Sequence, residues 1–503
     1  MLAEVFQYLL QYLPTLIAGC LALLLFEYRN HAIGSKRAHP SLTRVPGSVP
    51  VFGAFFAVLW HYKTINDFFS NMFLKLEGQT VVVSMPFFPT YYVLTTPDIL
   101  EYVLKTKFEK FVRGDFMDQR FRQVLGKGIF NADGEHWRVQ RKTAANIFNT
   151  GAFKELVATV FQDKMRKLSL IIATAVEEKQ TLDLQKYFFK ITLDGFGYVG
   201  FGVEIDSLNK DIPFAISFDA AQAILDYRFM SPLWKLEEFF NGDAAKMRNH
   251  VAVIRNFVEK VIKDHEAQPQ GAASQASDLI TLFMNQTKSD GSKFSHDEIG
   301  DFIINFIIAG RDTTAQAMSW CVYELNRNPR VLQKLLEEID SELGEADFPT
   351  YEQVKNMKYA NAVFSETLRL WPSIPKLIRT ARRDVTLPDG TLVPKGEAVI
   401  WSPFSFGKSK RIWGENAAEF YPERWLQPDK QPTQFEFPAF NCGPRICLGK
   451  SFAELEGVFI LVSLLRKFEV KVLNIDHVTY SNSLTLPMKH GLLCAFDKRE
   501  RTI

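Results

Sequence analysis

The sequence predicts a mainly α chain with small β-sheets, an α+β fold built around one long central helix and preceded by an N-terminal transmembrane helix. Three observations carry this: a charge-free apolar run near the N-terminus, helical spacing through most of residues 150–370, and short hairpin signals on either side of that stretch. Of 503 residues 47% are hydrophobic and 44 are Phe, enough for one large core, and no Pro/Gly/Ser-rich linker divides the chain after its first tenth. The expected organisation is an anchor over 1–28, a proline-containing connector over 29–50 and a single domain over 51–503.

The run Val5–Phe26 holds no charged side chain. About twenty apolar residues suffice to span a bilayer. A cleaved leader fits poorly, because the run is longer than a leader's apolar core and only Glu4 precedes it as a charge. Arg29, Lys36, Arg37 and Arg44 follow the run, which places the rest of the chain on the cytosolic face of the membrane in single-pass topology. Pro40, Pro46 and Pro50 stiffen the connector. A net charge of +2 gives no electrostatic case for nucleic acid. Five scattered cysteines with no C-x-x-C argue for a reducing compartment over a disulfide framework.

Val81–Met85 and Tyr91–Thr95 flank Pro86 and Pro89 and predict a hairpin; Asp389-Gly390, with Pro394-Lys-Gly396 beyond it, predicts another turn. The longest helix is expected to start at Ser295-His-Asp-Glu298, a capping box, and to run without proline to Asn328-Pro329. Its length would be about 50 Å.

Chemistry concentrates in two places. In Phe440-Asn-Cys-Gly-Pro-Arg-Ile-Cys-Leu-Gly449, a cysteine, Cys447, stands in a turn directly before a helix-forming run. Backbone N–H groups and the positive helix end are expected to lower its thiol pKa and suit it to iron, while Gly443 and Gly449 allow a flat group close to the backbone. In Ala309-Gly-Arg-Asp-Thr-Thr314, Ala309 and Gly310 remove bulk, and Asp312 and Thr313 put an acid and a hydroxyl in mid-helix between apolar flanks.

The first segment resembles the F-x-x-G-x-R-x-C-x-G haem-ligand loop of the cytochrome P-450 superfamily, and the second its A-G-x-[D/E]-T-T oxygen-activating motif. Glu366-Thr-Leu-Arg369 is similar to the family's E-x-x-R helix, Phe420-Tyr-Pro-Glu-Arg-Trp425 to its P-E-R-[F/W] segment, and Trp137-Arg-Val-Gln-Arg141 to its W-x-x-x-R. The five motifs come in family order across residues 137–449. The resemblance implies the P-450 fold of the microsomal branch, with the long helix crossing a non-covalent haem b (iron protoporphyrin IX). It implies Cys447 as iron ligand, with Phe440, Gly443, Gly449, Ala309 and Gly310 against the macrocycle and Trp137, Arg141, Arg379 and Arg445 at its propionates. Asp312 and Thr313 would deliver protons to bound dioxygen, and Glu366, Arg369 and Arg424 would form a buried charge network. Phe306, Ile374 and Leu377 would line an apolar substrate pocket.

With no flavin or nicotinamide fingerprint in the chain, electrons are expected from a partner, an NADPH-dependent flavoprotein reductase. Lys127 and Lys450 are candidates for its docking, although lone lysines are more often solvated surface. The expected activity is insertion of one oxygen atom from O2 into a lipophilic substrate drawn from membrane lipid. Ala-Gly-Arg-Asp-Thr-Thr together with Glu-Thr-Leu-Arg-Leu-Trp-Pro-Ser-Ile-Pro resembles the fatty-acid and alkane ω-hydroxylase branches. Alternatives are a sterol or xenobiotic monooxygenase, an O2-independent haem-thiolate isomerase or dehydratase, and a non-catalytic haem protein. The intact Asp312-Thr313 pair counts against the last two.

Overall fold

The computed structural model describes residues 2–148, 151–267, 279–288 and 291–500, with the side chains of 2–10, 146–148, 151–154 and 282 excepted. The chain forms two compact units. The first joins residues 1–112 to 377–401; the second joins 113–376 to 402–503.

The strands in chain order are β1 Thr43–Arg44, β2 Val81–Val83, β3 Tyr91–Val93, β4 Phe111–Val112, β5 Leu182–Asp183, β6 Leu377–Ala381, β7 Val385–Thr386, β8 Leu392–Val393, β9 Ala398–Trp401, β10 Phe468–Val472 and β11 Leu493–Lys498. The first unit is built on a six-stranded sheet in the order β1-β2-β3-β9-β6-β4. Its β2–β3 pair is the hairpin expected from the sequence, antiparallel with Val81 opposite Val93. All six residues of that pair are buried, as β-branched and aromatic side chains covered on both faces should be. The second expected turn joins β7 to β8, and Gly390 takes the positive φ of +84° that it requires.

The helix Leu2–Glu27 contains the apolar N-terminal run, with Pro14 inside it. Large apolar side chains stand exposed along its second half, among them Leu16, Leu23 and Phe26. Among the described residues no helix is long and apolar enough to cross a membrane. The first part of the expected span, up to residue 10, lies outside the described side chains.

The second unit is helical. Its central helix, His296–Arg327, starts at the expected capping box, with the Ser295 hydroxyl and the Glu298 carboxylate each accepting from the other residue's backbone N–H. At 32 residues it is about 48 Å long. It packs closely on the Leu184–Phe201 helix, where Gly310 meets the Phe196 ring. A Cβ at Gly310 would run into that ring. The missing side chain at Gly310 thus permits the close approach of these two helices. The small three-stranded sheet β10-β11-β5 completes the unit.

Candidate haem-thiolate site

The cysteine loop is fixed by its own backbone. A 3-10 turn, Pro438–Phe440, leads into Asn441 at φ +61° and Gly443 at φ +63°, two positive-φ residues that reverse the chain tightly. The Cys447 N–H donates to Phe440 O at 2.7 Å, and Asn441 Nδ2 donates to Arg445 O at 3.1 Å. Gln434 pins the outer side: its Oε1 accepts from Gly443 N at 3.0 Å and its backbone carbonyl from Cys442 Sγ at 2.9 Å. That contact explains Cys442, a buried neutral thiol whose pKa burial pushes up. Gly449 is the N-cap of the Lys450–Lys467 helix and has ordinary φ, so its contribution is a backbone N–H directed at the Cys447 sulfur.

The thiol itself departs from the expectation. Burial raises the Cys447 pKa; the Gly449 N–H and the nearby Arg141 and Lys450 charges pull it down without winning. The helix end and N–H groups are present as the sequence implies, but desolvation outweighs them. Yet Cys447 also has accessible surface.

The same signature recurs on the central helix. Residues 302–307 and 310–325 are buried except Thr313, while Ile308 and Ala309 also regain accessible surface. Ala309 and Thr313 are four residues apart and share a face. The Thr313 hydroxyl donates to Ala309 O at 2.6 Å. Ser373 Oγ donates to Thr313 O at 2.7 Å, and Thr192 Oγ1 to Arg311 O at 2.9 Å. Phe306 is buried against Phe302, with ring centroids 4.3 Å apart.

Asp312 is buried and turned to Arg311, whose Nη1 lies 3.1 Å from Asp312 Oδ1. Arg311 in turn pairs with both oxygens of Asp219, at 2.6 and 3.1 Å, and lies over the Phe189 ring. Sequence reasoning missed this clamp: Arg311 occupies the motif's unspecified position, and Asp219 lies on the Pro213–Arg228 helix with no signal of its own. Burial pushes Asp312 up to about 6, opposed by Arg311 and reinforced by Asp219 and Asp226.

Of the expected propionate ligands, Trp137 and Arg445 come together, with the guanidinium 4.3 Å from the indole centroid. Arg445 also donates to Asp133 Oδ1 at 2.8 Å and Ala132 O at 2.9 Å. Asp133, unremarked in the sequence, is held by the Arg113 and Gly114 N–H groups. Arg141 is half-buried and near enough to Cys447 for each to shift the other. Arg379 is buried on β6 and Leu377 opens that strand, both in the first unit; Ile374 is half-buried in the second.

Glu366, Arg369 and Arg424 assemble as one network. The wholly buried Glu366 carboxylate accepts from Arg369 Nε and Nη2 at 2.8 Å each, Arg424 Nε at 3.1 Å, Trp425 Nε1 at 2.9 Å and Tyr421 N at 2.8 Å. Arg369 spends its remaining donors on the Gly407, Ala417 and Glu419 carbonyls.

The donor set fits haem: an internal thiol with an accessible face, a small-residue helix face with accessible surface, and guanidinium groups beside the thiol loop. The Cytochrome P450 family profile matches residues 44–495, and the chain belongs to that family. It is 34% identical to cytochrome P450 monooxygenase cyp1 of Mycosarcoma maydis, over 96% of this chain and 79% of that protein. It is 34% identical to cytochrome P450 704B1 of Arabidopsis thaliana (90% and 95% covered) and 31% identical to cytochrome P450 94A2 of Vicia sativa (91% and 92% covered). It is accordingly an oxidoreductase, a monooxygenase that uses haem b, O2, electrons from a redox partner and a lipophilic substrate.

Two outcomes are expected. Glu366→Gln strands the Arg369 charge in the interior and should cost about 3–5 kcal/mol in denaturant unfolding; a loss under about 1 kcal/mol would contradict the network's role. Asp312 has a higher pKa folded than unfolded, so its contribution to stability falls as pH rises from about 4 through 6. Asp312→Asn should therefore exceed the native protein in stability by about 2–3 kcal/mol at pH 7.5, the gap narrowing toward pH 5. A gap independent of pH would contradict it.

Proposed function

We propose that this chain hydroxylates long-chain fatty acids at or near the ω end, anchored by its N-terminal helix to the endoplasmic reticulum membrane with the catalytic domain on the cytosolic face. The observation that carries the reading is the Asp312-Thr313 pair beside the accessible Ala309 face of a helix otherwise buried over residues 302–325. The bound haem supplies activation of dioxygen. Cys447 would hold its iron, and Trp137, Arg141 and Arg445 would meet its propionates, guanidinium groups being suited to bidentate carboxylate contact. Arg379 joins them by family position alone.

The proton work falls to two side chains. The hydroxyl proton of Thr313 is committed to Ala309 O, so its oxygen lone pairs are left to accept from a water or from a group bearing a proton. Asp312, pushed up to about 6, exchanges protons readily near neutral pH. Arg311 and Asp219 continue from Asp312 toward the surface, since Asp219 is exposed. The apolar Ile308, Ala309 and Ile374, each with accessible surface, suit a lipid guest. The resemblance of Ala309–Thr314 and Glu366–Pro375 to the ω-hydroxylase branches selects the acid, and the exposed apolar side chains of the Leu2–Glu27 helix support the anchor. Electrons would come from an NADPH-dependent flavoprotein reductase.

Thr313→Ala should retain haem while product formed per NADPH falls several-fold and peroxide rises; unchanged coupling would remove Thr313 from proton delivery. Incubation with acids of ten to eighteen carbons and a reductase should give terminal or near-terminal hydroxy acids. Turnover of sterols or xenobiotics with no turnover of any acid would overturn the substrate.

A further inference from the structure

Asp219, Gln222 and Asp226 stand three and then four residues apart on the Pro213–Arg228 helix, so they share one face. Each is fastened to another part of the second unit. Both oxygens of Asp219 accept from Arg311 of the central helix, at 2.6 and 3.1 Å. Gln222 Nε2 donates to Thr485 Oγ1 at 3.3 Å, and Gln316 Nε2 of the central helix donates to the same oxygen at 2.9 Å. Asp226 Oδ1 accepts from Leu484 N at 2.8 Å. The buried apolar residues Phe214, Phe218, Ala221 and Leu225 form a neighbouring stripe, and the Phe214 ring lies 4.6 Å from that of Phe257 on the Asp243–Glu266 helix. The polar stripe is therefore held by directed contacts that water can replace. Water already reaches one of them: the Asp219 side chain is 58% exposed, against 6% for Arg311. Such an ion pair opens at small cost.

Arg311 is the common member. Its Nη1 lies 2.6 Å from Asp219 Oδ1 and 3.1 Å from Asp312 Oδ1, so one nitrogen serves two carboxylates. The charged groups that bear on Asp312 are Arg311 beside it and Asp219 and Asp226 on the Pro213–Arg228 helix, with Lys376 in turn acting on Asp226. The Leu184–Phe201 helix meets Arg311 with the Phe189 ring and the Thr192 hydroxyl, both uncharged. Departure of the Pro213–Arg228 helix would remove Asp219, admit water and leave Arg311 to Asp312 alone. Each change favours the Asp312 carboxylate: a competing anion is gone, the cation is undivided and desolvation is relieved. With the helix in place all three reverse, and the Asp312 pKa stands at about 6.

We propose that Asp219 is a positioning residue: it latches the Pro213–Arg228 helix to the central helix and, by sharing Arg311, sets how firmly Arg311 holds Asp312. Latched, Asp312 takes a proton from water near neutral pH and passes it on. Unlatched, it stays an ion-paired carboxylate. Proton supply is thereby confined to the arrangement in which the helix is fastened down. This consequence rests on the role proposed for Asp312 above; the latch itself does not.

The full-length, haem-loaded protein carrying Asp219→Asn or Asp219→Glu tests this. Hydrogen exchange of the 213–228 backbone amides should quicken about threefold or more in Asp219→Asn and return most of the way in Asp219→Glu. The stability advantage of Asp312→Asn, which grows between pH 4 and about 6 in the native background, should reach its plateau about one pH unit lower when Asp219 is Asn. A merely structural Asp219 would lower stability alike at every pH. Product formed per NADPH from dodecanoic acid should fall several-fold at pH 7.5 in Asp219→Asn. Unchanged exchange would overturn the latch, and an unchanged plateau would overturn the sharing of Arg311. Neither readout needs turnover, so both decide the matter even where no acid is hydroxylated. Both moving while product per NADPH stays native would uphold the latch and remove Asp312 from proton delivery.

Discussion

The Cys447 sulfur is held in one place by its own loop, and the candidate site is arranged around that constraint. Burial pushes the Cys447 thiol toward its neutral form. What opposes burial is local and directional: the Gly449 N–H at the start of a helix, and the Arg141 and Lys450 charges. These work only if the sulfur stays in place, which the Phe440 carbonyl, the positive-φ residues Asn441 and Gly443, and the Gln434 clasp ensure. In a family that uses haem, Cys447 is the residue that would hold the iron, whose charge would add to the stabilisation given by the protein's own donors.

The buried ionic groups differ in how completely the protein satisfies them, and the difference separates scaffold from chemistry. Glu366 receives five donors and Arg369 spends its own on three carbonyls as well, a saturated network with nothing left for a ligand. Asp312 shares one guanidinium with Asp219 and titrates near neutrality. The Cys447 thiol receives only the Gly449 N–H and the influence of the Arg141 and Lys450 charges, and it retains accessible surface. Saturation fixes a group in one protonation state; incompleteness leaves it free to bind or to exchange a proton.

Much of this was legible in the sequence. The central helix announced itself by the Ser295–Glu298 capping box and a proline-free run, and its bounds follow. The β2–β3 hairpin was readable from two β-branched and aromatic runs around prolines. Glu366 and Arg369 were legible as a pair because they stand three apart on one helix. What escaped depends on side chains brought from afar. The Phe196 ring against Gly310 has no signal in the sequence. Asp219, Asp133 and Gln434 carry no pattern; only folding gives them Arg311, Arg445 and the cysteine loop as partners. The sign of the Cys447 shift could not be read either, because sequence reports donors and not the depth of burial.

The most direct test of the account is the carbon monoxide difference spectrum of the reduced, haem-loaded protein and of its two loop-cysteine variants. The native protein and Cys442→Ala should both give a strongly red-shifted Soret band, and Cys447→Ala should lose it. A band at the ordinary haem position in folded native protein, or its loss in Cys442→Ala but not in Cys447→Ala, would contradict the assignment on which the site rests.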